Sequence, residues 1–98
     1  MDLQTATTAI RNKVGADSAL GATLKFDCGA DGVIVIDGAS TPSSVDNTNR
    51  ETDCTIELGI DTLGALMSGE LNAMNAFMTG KIKVNGDMGV ALKLQSVL

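Results

Sequence analysis

The stretch AFMTGKIKVNGDMGVALKLQ at residues 76–95 constrains the fold more than any other part of the chain. Gly80 and Gly86 interrupt it, leaving pieces that fit only the end of a helix, a short strand and a second helix. The last piece matters most. From residue 88 onward the chain offers Met88, Val90, Ala91, Leu92, Leu94, Val97 and Leu98. Wound as a helix, these side chains cover far more than the roughly 100° stripe that docks a helix on one core face. The surplus apolar surface must be buried against a partner, a membrane surface or a lipid held in a cavity.

The rest of the chain switches between two periods. Leu3, Ala6, Ile10 and Val14 fall at helical spacing, with Gly15 as a stop. From Leu20 the period becomes two: Leu20, Ala22, Leu24, Phe26 and Cys28 alternate with small or polar residues, as in a half-buried strand. Gly29-Ala30-Asp31-Gly32 supplies a hairpin turn, and VIVI at residues 33–36 reads as a central strand covered on both faces. Residues 38–50 are polar and turn-rich. A short edge strand is expected near Ser44–Asp46, because Pro42 and the nearby charges suit an edge.

Cys54, Ile56 and Leu58 then mark another strand, and Ile60, Leu63, Leu66 and Met67 return to helical spacing, closed by Ser68-Gly69. Asn72 is a good N-cap for a helix carrying Met74, Phe77 and Met78 before Thr79-Gly80. The two helix ends share a glycine C-cap and are not an internal repeat. Ile82 and Val84 form the core side of a last strand, with Lys81 and Lys83 on its solvated side. The order is helix, three strands, a fourth strand, two short helices, strand, helix. It predicts an α+β fold, a mixed sheet with helices over one face.

Ninety-eight residues allow one domain over 1–98 and one modest core. A large cavity in so small a core costs stability, which a bound apolar ligand would offset. The seven basic residues are scattered among twelve acidic ones, and a net charge of −5 argues against nucleic acid and against tight electrostatic binding to anionic membranes. It leaves room for transient membrane contact through an apolar helix.

The chain has no histidine, and its carboxylates are spread singly rather than paired. General acid–base catalysis and metal binding therefore lack their usual residues, and neither an enzyme nor a cofactor is expected. Cys28 and Cys54 occupy apolar phases and read as inert core thiols. The glycines around residues 85–89 match no phosphate-cradling motif. The start MDLQTATTAIRNKV lacks a basic and then apolar leader, and no aliphatic run is long enough to span a bilayer. A soluble, cytoplasmic protein is expected.

Three blocks, DCTI at 53–56, ALMSGELN at 65–72 and the stretch at 76–95, stand in an order and spacing that resemble the lipid-binding domain of the sterol carrier protein 2 family. The resemblance implies a five-stranded sheet whose helices enclose a hydrophobic tunnel, and non-catalytic lipid binding and transfer. It implies tunnel walls drawn from Met67, Met74, Phe77, Met78, Ile82, Val84, Met88 and Leu92. Four of the five methionines lie between residues 67 and 88, which suits a wall that reshapes around varied chains and equally a loosely packed core. Gln95 either faces the tunnel, where it would bond a headgroup or water, or faces solvent. Met78 stands where the family often has a second aromatic, Ala73 where it often has proline, and the terminal Ser96-Val97-Leu98 lacks the lysine of the peroxisomal address.

Magnitudes allow such a carrier. A sixteen-carbon chain offers roughly 12 kcal/mol gross at about 0.8 kcal/mol per methylene. Association consumes several kcal/mol, and micromolar affinity needs about 8 kcal/mol net. The expected protein is a monomer holding a fatty acid, sterol, isoprenoid or phospholipid under its terminal helix, whose movement opens the tunnel. Val90, Leu94, Val97 and Leu98 would then touch a membrane or seal the cavity. The alternative is a filled core and a protein-interaction or scaffold role, for example in isoprenoid-lipid biosynthesis.

Overall fold

In the computed structural model, which describes residues 2–14, 21–39 and 42–93, β1 (Thr23–Asp27) is the centre of a five-stranded sheet. On one side lie β2 (Val33–Asp37) and then β3 (Ser44–Asp46); on the other lie β4 (Cys54–Glu57) and then β5 (Lys83–Gly86). The β1–β4 pair is parallel and the other three pairs are antiparallel. The sheet is thus mixed, as the element order predicts. Residues 33–36 are covered on both faces, but β1 rather than β2 takes the centre.

Strand alternation builds the core. The register sets Leu24 between Ile36 and Cys54, and Phe26 between Ile34 and Ile56, all fully buried on one face. Four helices cover that face. α1 (Leu3–Val14) contributes Ala6, Ile10 and Val14; α2 (Ile60–Ser68) contributes Leu63 and Leu66; α3 (Ala73–Met78) and α4 (Met88–Leu92) contribute Ala76 and Val90. Local chemistry ends these helices where expected. Gly69 caps α2 in the left-handed conformation at φ 84°, and the Asn72 side chain accepts the Met74 and Asn75 N–H groups at the start of α3.

Polar bonds orient α1 against the far edge. Arg11 Nη2 donates to the Val45 carbonyl at 2.8 Å, and Asn47 Nδ2 donates to both Thr7 Oγ1 and the Val33 carbonyl at 2.9 Å. The chain between β3 and β4 must pass β2 and β1 to reach its place. It crosses the face away from the helices, where Lys25 Nζ donates to Asn49 Oδ1 and to the Arg50 carbonyl, both at 3.0 Å. Lys25 is the register partner of Val35, and this crossing accounts for the burial of Val35 on the second face. The Gly29–Asp31 turn between β1 and β2 is a single 3-10 turn. The expected stop at Gly15, the expected strand start at Leu20 and the helical continuation through residues 94–98 lie outside the described residues.

Two contacts set the β4 ladder. The Asp53 carboxylate accepts the Thr23 N–H at 3.0 Å and the Thr23 hydroxyl at 3.1 Å, while that hydroxyl accepts the Asp53 N–H at 2.8 Å. On the other side Gly86 faces Cys54 at φ 105°, so close that a Cβ would stand 2.5 Å from the Asp53 carbonyl oxygen. That oxygen also accepts the Asp87 N–H at 2.8 Å. Gly86→Ala should therefore lower stability by about 2–3 kcal/mol, through positive-φ strain and a backbone collision. Gly69→Ala, at a left-handed cap with nothing within 4 Å of the new Cβ, should lose only about 1 kcal/mol. Urea denaturation of both variants checks the difference.

Candidate functional site

The β4–β5 half of the sheet, roofed by α3 and α4, holds an apolar cleft of about 140 Å³. Ile56 and Val84 are cross-strand partners, and with Ile82, just before β5, they form its floor. Ala73, Met74 and Phe77 project from one side of α3; Met88, Ala91 and Leu92, spaced at three and four residues, project from one side of α4. The two alanines leave the space that larger side chains would fill. Ile56 is fully buried and Ile82 is 4% exposed, whereas Met74 (54%), Phe77 (46%), Met88 (51%) and Leu92 (73%) form an open rim. Among the described residues, the large hydrophobic side chains exposed to solvent are these four and Met78. Apolar surface concentrated in this way makes the cleft the candidate site.

Of the residues expected to line a pocket, the structure brings together Met74, Phe77, Ile82, Val84, Met88 and Leu92. Met67 instead packs, partly buried, against the main core. Met78 points away from the lining into solvent, 76% exposed. Gln95 lies outside the described residues. Ile56 and Ala91 line the cleft without having been singled out as walls, and Ala73, noted as a departure from the family's proline, joins them. Ile56 carried a usable signal, since it sits in the core phase of the strand that pairs with Val84; Ala91 carried none. Of Val90, Leu94, Val97 and Leu98, expected to touch a membrane or seal the cavity, only Val90 lies within the described residues. It is 5% exposed and packs into the core, so it is unavailable for membrane contact. Val90, on the side opposite Met88 and Leu92, anchors α4, and the Asp87 carboxylate helps by accepting the Gly89 N–H at 2.8 Å.

Among the described residues, no polar side chain lines the cleft. The nearby Cys54 thiol is pushed up from its usual pKa by burial and by Asp87. Cys28, at the end of β1, is pushed up to about 11 by burial, with Asp31 and Asp27 adding to the effect. Both thiols are free and buried, and protonated thiols are poor nucleophiles. Among the described residues no group of three His, Cys, Asp or Glu side chains could hold a metal ion. The lining offers shape and apolar contact.

These features define a small α+β domain with an apolar cleft between its short later helices and the sheet edge. The sequence profile of the SCP-2 sterol transfer family matches residues 6–98, and the chain belongs to this family. It is similar to sterol carrier protein 2 of Bos taurus, 41% identical over 70 residues, which cover 70% of this chain and 13% of that protein. Sterol carrier protein 2 of Gallus gallus is 45% identical over 51 residues, covering 52% of this chain and 9% of the relative. The chain thus spans a small part of the relatives it matches. Among solved structures, sterol carrier protein 2 like 2 of Aedes aegypti shares the fold, with a TM-score of 0.78 at 23% identity over 98% of this chain and 95% of that one. The solution structure described as palmitated SCP2L2 from Aedes aegypti has a TM-score of 0.73 at 25% identity, covering 99% and 94%.

The thiols make a direct test of burial. At pH 8 a thiol reagent should label folded protein far more slowly than protein in urea. Cys28 ionises near its usual 9.0 when unfolded and only at about 11 when folded. Deprotonation therefore favours the unfolded chain first, and stability that is full below pH 9 should fall as pH rises towards 11. Urea midpoints measured across that window check the sign.

Proposed function

We propose that this chain is a non-catalytic lipid-binding and transfer domain that holds a single acyl-like chain in the cleft between α3, α4 and the β4–β5 edge. The observation that carries the reading is the cleft itself: among the described residues its lining is nine apolar side chains, at the place where the exposed hydrophobic surface is concentrated. Family membership supports it, as does the similarity to a protein described as palmitated. In this reading Met74, Phe77, Ile82, Val84, Met88 and Leu92, with Ile56, Ala73 and Ala91, contact the ligand. A headgroup, which finds no partner among the described lining residues, stays at the rim.

Volume sets how the ligand must fit. An apolar cavity of about 150 Å³ holds a benzene ring, so a space of about 140 Å³ takes roughly six carbons. Six methylenes yield about 5 kcal/mol, short of the about 8 kcal/mol that micromolar binding requires. A longer chain must also lie along the rim, or the cleft must widen into the tunnel of the family fold. Movement of α4 is the opening we propose. In the described residues the helix spans Met88–Leu92 and is held by Val90 and the Asp87 cap. The opened rim of Met74, Phe77, Met88 and Leu92 is where a monomer would exchange lipid with a membrane.

Native mass spectrometry of gently purified protein, repeated under denaturing conditions, tests the reading. A few hundred daltons of extra mass that vanish on denaturation, with lipid in the extract, are expected. A clean apo mass that persists after incubation with fatty acids, isoprenoids and phospholipids would point to an interaction domain instead. Ala91→Phe, which fills the cleft from α4, should weaken cis-parinaric acid binding about tenfold or more while leaving the fold intact. Fluorescence titration and thermal melting measure the two effects.

A further inference from the structure

We infer that Met74 and Met88 form a methionine-oxidation site through which a peroxide lowers ligand occupancy of the cleft; the inference rests on the carrier reading above. The two thioethers face the same space from opposite helices, α3 and α4, and both line the cleft. They are 54% and 51% exposed, so a small oxidant reaches them from solvent without unfolding. Their rim neighbours Phe77 and Leu92 are inert to peroxide. Met67 is partly buried against the main core, and Met78 is 76% exposed but does not line the cleft. The fold thus holds a reactive pair in the site, a reactive methionine outside it and a shielded one.

The step is a two-electron oxygen transfer. The thioether sulfur attacks one oxygen of hydrogen peroxide, the O–O bond breaks and an S–O bond forms. The sulfur is oxidised to the sulfoxide and the other peroxide oxygen leaves as water. A flexible apolar side chain becomes a polar one with a strong acceptor. In the empty cleft, water solvates that acceptor at the rim. A bound acyl chain would strip the water away, and among the described residues no lining side chain can donate a hydrogen bond in its place. Oxidation therefore disfavours the filled state. A bound chain lying against Met74 and Met88 would also shield the same two sulfurs from peroxide.

The test uses the full chain. Protein is treated with dilute hydrogen peroxide, with and without palmitic acid, and the sulfoxide at each methionine is followed by peptide mass spectrometry. Met74, Met78 and Met88 should oxidise ahead of Met67, and palmitic acid should slow Met74 and Met88 severalfold while leaving Met78 unchanged. The dissociation constant for cis-parinaric acid should rise about tenfold or more on oxidation, and methionine sulfoxide reductases A and B should restore it. The loss should persist in Met78→Leu and vanish in the Met74→Leu/Met88→Leu double variant, each compared with itself before and after peroxide. Unchanged binding by oxidised wild type, with melting showing an intact fold, would overturn the inference. So would an equal loss in the double variant, or equal protection of Met78. Failure of unoxidised protein to bind parinaric or palmitic acid would defeat the carrier reading itself, and this inference with it.

Discussion

The parallel pairing of β1 with β4, tied at its start by the reciprocal Thr23–Asp53 hydrogen bonds, is the constraint on which the other elements depend. Two parallel neighbours cannot be joined by a tight turn, so the intervening chain has to go elsewhere. It lays β2 and β3 on the far side of β1 and then returns across the outer face, past Lys25 and over Val35. That route leaves the second edge of β4 free for β5. Of the two helices between β4 and β5 in the chain, α3 roofs this half of the sheet, while α2 packs beside α1 on the main core. The Asp53 carbonyl, which accepts the Asp87 N–H, starts α4 at once after β5.

The cleft follows from where these elements meet rather than from any one of them. Among the described residues, the six-residue α3 and α4 (Met88–Leu92) leave the β4–β5 edge incompletely covered. Each also presents an alanine, Ala73 or Ala91, where a larger side chain would have closed the gap. An enclosed apolar void of about 140 Å³ would cost about 3 kcal/mol at 24 cal/mol per Å³. For a chain of 98 residues that is a large share of the stability available. An open rim lowers the penalty and a bound acyl chain offsets it, so folding energetics and the proposed function favour the same occupied state. The deep core, centred on Phe26 and Leu24 and packed by α1 and α2, provides the stable base against which this looser half can exist.

Much of the fold was legible because its signals are local. The glycine after α2, the Asn72 cap of α3, the alternation through Cys54 and Ile56, and the short polar edge strand at Ser44–Asp46 are each set by a few adjacent residues. The site was legible in part for the same reason, since Met74, Phe77, Met88 and Leu92 share the faces that helical spacing assigns. Met67 and Met78 looked equivalent to them in sequence. Their separation depends on how α2 and α3 rotate against the sheet, so one meets the main core and the other solvent. Val90 shows the same limit. A helix apolar on several sides does not announce which side anchors it, and here the anchor is the side expected to be spare.

The sequence by itself determined the order and kind of the elements, their caps, the acidic character of the chain and the absence of histidine, because each is a property of residue identity or near-neighbour spacing. Tertiary structure alone decided that β1 and not β2 is central, that β1 and β4 run parallel, and that Ile56, Ala73 and Ala91 meet Met74 and Met88 around one space. Those outcomes rest on contacts between residues far apart in the chain. Hydrogen-bond register and the packing of short helices on a sheet edge settle them, and neither leaves a periodic trace in the sequence.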